Sequence, residues 1–255
     1  MYRSLILAVT LVCAALSLSA QDDRLNSLNF DEEPLPEETS PYSAIGIGPA
    51  LTLFMPNVTD INAKAKDISV PEVGSSLIMF GAEFYTAVGV VPNVRVGFSW
   101  LTGSASTSAT SEITPGVTAR KGIDYHLSTK TIHADYALRL SQSFTALPGI
   151  GISWGNTELS VHENVSSVDW GTVQTPTLTA TNTQFAQSSL SAIPRLSFEY
   201  VLTPFLSIRA QGAYAVQFSA SDWQANGYAS VKNMPTSISM NGFSAQVGVF
   251  LGLFN

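Results

Sequence analysis

The sequence predicts an all-β fold, an eight-stranded antiparallel up-and-down transmembrane β-barrel, and three observations predict it. First, Phe205-LSIRAQGAYAVQFS alternates without a break, with Leu206, Ile208, Ala210, Gly212, Tyr214, Val216 and Phe218 on one side. Ser207, Arg209, Gln211, Ala213, Ala215, Gln217 and Ser219 take the other, and one apolar and one polar face mark a strand between two media. Second, the chain is 45% apolar but only 12% charged, against about 25% charged in a soluble domain, as suits a surface that faces lipid. Third, short and long connections alternate along it, the pattern of barrels with short periplasmic turns and long external loops.

In chain order, Met1-YRS carries one positive charge and Leu5-ILAVTLVCAALSL is apolar but too short to span a bilayer. Small residues follow, so residues 1–20 are expected to be a secretory signal peptide cut near Ser19 or Ala20. The one cysteine, Cys13, leaves with it, and neither disulfides nor thiolate metal sites are expected in the mature chain. Residues 21–41 hold seven acids against Arg24, which is −6 of the net −7. Charge, proline and few apolar residues predict a disordered periplasmic segment. The leader adds +1 and residues 42–255 therefore carry −2, with no basic patch for nucleic acid.

The barrel is expected over 42–255, with strands near 43–55, 75–91, 93–102, 130–141, 147–156, 186–201, 205–219 and 242–254. Tight turns are expected at Val91-PNV, Ser143-FTALP and Val201-LTPF, and long external loops at 56–73, 103–128, 157–184 and 220–240. An extra hairpin in 158–180 would make ten strands. Pro49 and Pro194 interrupt strands that have no free edge, so each is expected to mark a bulge. Trp100, Trp154 and Phe218 fall near outer strand ends, and Tyr42 and Tyr200 near inner ends, as headgroup-level aromatics do.

The inward parity collects Glu83, Arg95, His133, Asp135, Arg139, Arg195, Glu199 and Arg209. An eight-stranded barrel is only wide enough for side chains to fill it, so these charges are expected to pair as a plug, Glu199 with Arg209 across the third turn. Glycines 46, 48, 97, 149, 151, 248 and 252 are expected to make room for long Arg and Glu side chains. Three scattered histidines offer no metal-site spacing, and no cofactor is expected.

The signal peptide, the eight alternating runs, the LTPFLSIRA turn-and-strand and the near-terminal Phe254 together resemble the small eight-stranded outer-membrane barrels, the OmpA-like and OmpX-like group. The resemblance implies a bacterial outer-membrane location, a lipid-facing exterior and a C-terminal strand read by the barrel-insertion machinery. Asn255 follows Phe254, which shifts that terminal signal by one residue. Function is expected to be structural or surface-interacting, with an extracellular ligand at loops that carry Trp170, Trp223 and Tyr228. A narrow channel for small or hydrophobic solutes is the alternative. An enzyme is not expected, although His126 and Ser128 resemble the His-x-Ser pair of lipid A deacylases; the acid needed to orient the His is missing downstream.

Overall fold

The structure, a computed structural model, describes residues 42–115, 117–165 and 180–254. The expected signal peptide, the acidic segment 21–41 and Trp170 lie outside the described residues. The barrel strands are β1 (Ala44–Pro56), β2 (Leu77–Ala87), β3 (Val94–Thr114), β4 (Val117–Tyr136), β6 (Phe144–Val165), β7 (Ala180–Thr203), β8 (Leu206–Ala220) and β11 (Gly242–Phe254). Among the described residues, two-residue strands β5 (Leu138–Arg139), β9 (Gln224–Ala225) and β10 (Ala229–Ser230) and one helix, α1 (Thr59–Asp67), complete the set. Each barrel strand pairs antiparallel with the next, and β1 returns to β11 with Ala44 opposite Phe254. The eight-stranded ring is closed, so no edge is left at membrane depth. Its outside is an apolar belt that includes Ile47, Phe80, Phe98, Ile132, Ile152, Phe198, Val216 and Leu251, all exposed. A closed barrel with such a belt spans a membrane, the architecture of outer-membrane proteins.

Four expectations change. The second turn lies at 140–143, where Ser141 Oγ accepts the N–H groups of Ser143 and Phe144, so Phe144-TALP belongs to β6. The segment 103–128 is largely strand, as are the described parts of 157–184, residues 157–165 and 180–184: β3, β4, β6 and β7 have 21, 20, 22 and 24 residues. About 10 residues span a membrane in a tilted strand. These four neighbours therefore continue outward as a sheet, roughly 35–45 Å of extra strand each. Of the residues that an extra hairpin would need, 158–165 belong to β6 and Ala180 to β7, while 166–179 lie outside the described residues; the ring has eight strands.

Pro49 and Pro194 mark no bulge. The β1–β11 ladder resumes in the same register after skipping Gly48 and Pro49, and β7–β8 likewise resumes after Ile193 and Pro194. Each proline omits a pairing on one side while its other side stays paired, to Ala82 and Ile150 respectively. The shifts in β7–β8 register fall elsewhere, between Leu190 and Ser191 and between Val201 and Thr203.

The fourth change is the first external loop, which contains α1. Ala and Lys suit a short helix, Asp60 lies in its first turn, and Lys64 and Lys66 lie in its last, as the helix dipole prefers. Asn57 Oδ1 accepts the Thr59 N–H, and Ser69 leaves the helix at φ 61°. Ile61 and Ala65, four residues apart on one face, are fully buried.

Candidate functional site

Inward side chains build the lumen in layers. At the periplasmic end Tyr42, Ala44, Ala137, Leu147 and Phe254 pack as an apolar seal. The terminal aromatic thus turns inward.

Above the seal lies a charged layer supplied by five strands. Arg95 and Asp135 are direct cross-strand partners on β3 and β4, and Arg95 Nη2 donates to Asp135 Oδ2 at 2.8 Å. Its other terminal nitrogen reaches across to Glu199 Oε2 at 3.1 Å. The Glu199 carboxylate also accepts from the Tyr42 and Tyr85 hydroxyls, at 2.8 and 2.7 Å. Glu83 gathers three partners: Arg209 Nη2 at 2.5 Å, Arg195 Nη2 at 3.2 Å and His133 Nε2 at 3.1 Å. Gln246 Nε2 donates to it at 2.9 Å and in turn accepts from Thr52. Arg195 Nε closes the circuit at 3.2 Å from Asp135 Oδ1. Three guanidiniums thus meet three carboxylates with no part more than slightly exposed, the condition under which buried charges persist.

Aromatic faces complete this layer. The Arg95 guanidinium lies 4.3 Å from the Tyr85 ring centre on one side, and Arg209 lies 4.9 Å from it. Arg209 also lies 4.2 Å from Phe250, which meets Tyr85 edge-on. The expected pair changes partner: Glu199 and Arg209 are opposite in register, yet Arg209 engages Glu83 and Glu199 engages Arg95. Arg139 lies on β5, half-buried, opposite Thr145. The glycines serve other neighbours than expected. A methyl group at Gly97 or Gly149 would collide with His133 or Asp135. At Gly48 and Gly252 it would strike the backbone of the adjoining strand.

A hydroxyl and amide layer follows, with Ser99, Thr131, Ser153, Ser191 and Ser197 buried. It borders a cavity of about 60 Å³ touched by Thr52, Met79, Thr129, Gln211, Met240 and Gln246. Above the cavity the lumen becomes apolar. Phe54, Leu77, Leu101, Ile123, Tyr125, Leu127 and Leu159 from the walls pack against Ile61 and Ala65 of α1 and against Trp223, Ile238 and Met240. Burial there pushes the Tyr125 phenol up to about 12. Trp223, expected as an exposed contact residue, is a core residue of this cap; Tyr228 stays outside at the β9–β10 turn, 83% exposed. The cap is tied at two points. Asn62 both accepts from the Val73 N–H and donates to its carbonyl, and the Ser237 hydroxyl donates to Asp60.

The outward pair His126 and Ser128 faces β3. His126 Nε2 lies 3.4 Å from Thr102 Oγ1, and Ser128 Oγ accepts from the Trp100 indole at 3.3 Å. His162 sits 3.3 Å from Asp124 on the protruding sheet.

The two lateral borders of that sheet differ. On β7, Phe185 and Ala186 pair with β9, Gln184 exchanges bonds with Asn226, and Ser188 exchanges bonds with Ser221. On β3, pairing with β2 ends at Gly103 opposite Met79, while pairing with β4 continues to Thr114. From Ser104 to Ser111, no strand pairs with the β2-side edge among the described residues. The Thr107 hydroxyl leaves the strand toward the cap, donating to Pro71 O at 2.9 Å, and Ala105 and Ala109 pack against the cap core.

No family model and no curated protein matches this sequence. Solved structures similar to it include Ail, the attachment invasion locus protein of Yersinia pestis, at 11% identity and a TM-score of 0.38, covering 84% of this chain and 99% of Ail. Neisserial surface protein A is similar at 9% identity and a TM-score of 0.41, over 83% of this chain and 96% of that one. A major outer membrane protein from Thermus thermophilus gives 9% and 0.41, over 81% and 99%. At such values the likeness carries nothing about activity, and the architecture of this chain rests on its own strand register.

Proposed function

We propose that the protein is a closed outer-membrane barrel that holds a protruding β-sheet at the cell surface and binds an extended polypeptide along the sheet edge. The observation that carries this reading is the β3 border, Ser104-ASTSATS, whose strand partner ends at Gly103 while its β4 side stays fully paired. An exposed edge offers a row of backbone donors and acceptors that an extended chain satisfies as an added strand. The outward side chains Ser104, Ser106, Ser108 and Thr110 are small and polar, so they leave the backbone accessible. The layered lumen supports a non-conducting role, since charges and cap fill the space a channel would need.

The test selects extended peptides from a displayed library against the protein in lipid nanodiscs. Selected peptides are expected to protect amides of Ser104–Ser111 from hydrogen exchange and to lose binding when residues 104–125 are replaced by a short turn. Binding that survives the replacement refutes the reading, as does steady pore-sized conductance of the intact protein.

A further inference from the structure

The outward face of the barrel carries a second pattern, independent of the β3 edge. On β3, β4 and β6 the outward residues change from apolar to polar at the same level. Phe98, Ile132 and Ile152 are register neighbours on the membrane side, and Thr102, Ser128 and Asn156 are register neighbours on the external side. Between these two rows lies a third: Trp100 opposite Lys130, and Lys130 opposite Trp154. All three side chains are exposed, the indoles at 54% and 48%. This row therefore lies where hydrocarbon gives way to headgroups, the depth that tryptophan prefers.

Lys130 is unusual in this setting. From β1 round to β11, it is the one charged residue on the outward parity at or below this level among the described residues. Among the described residues, no acid forms an ion pair with it. The nearest outward carboxylate in register, Glu158, is four residues further out along β6, roughly 13 Å. Its carboxylate already accepts from Gln184 Nε2 at 3.0 Å. The donors around Lys130 are also arranged for an acceptor. Ser128 Oγ receives the Trp100 N–H, which leaves its own proton to donate, and Asn156 lies beside it one strand away. A cation at the hydrocarbon border, flanked by two indoles and bordered by hydroxyl and amide donors, matches a phosphate whose attached chains run down the apolar belt. An ammonium near the surface attracts an anionic headgroup, and a hydrogen bond to the charged oxygen strengthens the contact.

We infer that Trp100, Lys130 and Trp154, with Ser128 and Asn156, form an outer-leaflet site for the phosphate headgroup of a membrane lipid. The lipid's chains would lie along Phe98, Ile132 and Ile152.

The test titrates detergent-solubilised full-length protein with a phosphatidic acid and, separately, with a phosphatidylcholine of the same chains, and counts bound lipid by native mass spectrometry. Wild type is expected to retain one phosphatidic acid in preference to phosphatidylcholine. Lys130→Ala should weaken that adduct roughly tenfold, and Lys130→Arg should restore it. Folding of each variant is read from heat-modifiable gel mobility. As a second readout, phosphatidic acid brominated near the headgroup should quench indole emission more than its phosphatidylcholine counterpart, and Trp100→Phe with Trp154→Phe should remove the difference. Equal retention of the two lipids, or unchanged affinity in folded Lys130→Ala, overturns the inference. Displacement of the lipid by millimolar inorganic phosphate overturns it too, because the site would then hold a free anion.

Discussion

Glu83 shows what one residue does in this lumen. Its two oxygens engage Arg209, Arg195, His133 and Gln246, drawn from β8, β7, β4 and β11, so a single side chain holds the barrel wall from four sides. A buried ion pair is a modest source of net stability, but removing one partner strands the others and costs about 3–5 kcal/mol. Arg209→Glu is therefore expected to lower stability by that order, since it places a second carboxylate beside Glu83 and removes the cation from Phe250. The same reversal at Lys232, an exposed loop residue, should leave the unfolding midpoint unchanged. Urea unfolding in lipid vesicles measures both; equal effects would mean that the charges do not act as a network. Strand parity alone told which face each of these residues takes. Their pairing was not legible in the same way. Adjacent-strand reasoning joined Glu199 to Arg209, whereas long guanidiniums cross the lumen, and those distances follow from closure of the ring.

Individual elements were legible where one face meets lipid and the other meets packed side chains. β8 and β11 alternate cleanly, and their ends fall within a residue of expectation. Alternation fades in Ser104-ASTSATS and in Thr181-NTQFAQSS, because above the membrane the outer face meets water and small polar residues serve on it. Such stretches read as loops by composition although register continues through them. α1 was hidden in a polar loop for a related reason: its apolar face is only Ile61 and Ala65. The Ala-Lys pattern with Asp60 early and two lysines late was the available signal.

At the same scale, the cap should loosen at high pH. The Tyr125 phenol normally ionises near 10 and does so here at about 12, so the folded cap favours the neutral form. Its contribution is complete below pH 10 and is lost as pH rises from about 10 to about 12. Emission from Trp223, buried in the same cluster, should shift to the red across that window, and Tyr125→Phe should flatten the change. A shift that persists in the variant would assign it to another group.

On the scale of the whole molecule, closure of the lumen is achieved twice, by unlike means. The external end is shut by apolar packing of α1 and residues 223–240 over the cavity. The periplasmic half is shut by the charged layer and the seal around Leu147 and Phe254. The two closures are coupled only through the intervening hydroxyl layer and the 60 Å³ cavity, so each should hold without the other. Replacing residues 57–76 by a short turn removes α1 but leaves Glu83, Arg95, Asp135, Arg195, Glu199 and Arg209 in place. That variant is expected to remain closed in planar bilayers. Neutral truncation of the charged layer with the cap intact, for example Glu83→Ala with Arg195→Ala and Arg209→Ala, should likewise give no steady current. Only the combination, with Leu147→Ala and Phe254→Ala added to open the seal, breaches both closures, and it should conduct in steps that neither parent shows. The comparison separates two designs for a small barrel. If removal of α1 alone produces steady conductance, the charged layer is permeable and the cap is the gate of a narrow channel. If the combined variant stays silent while folded, the walls themselves close the bore, and the side chains within it are packing with no barrier role.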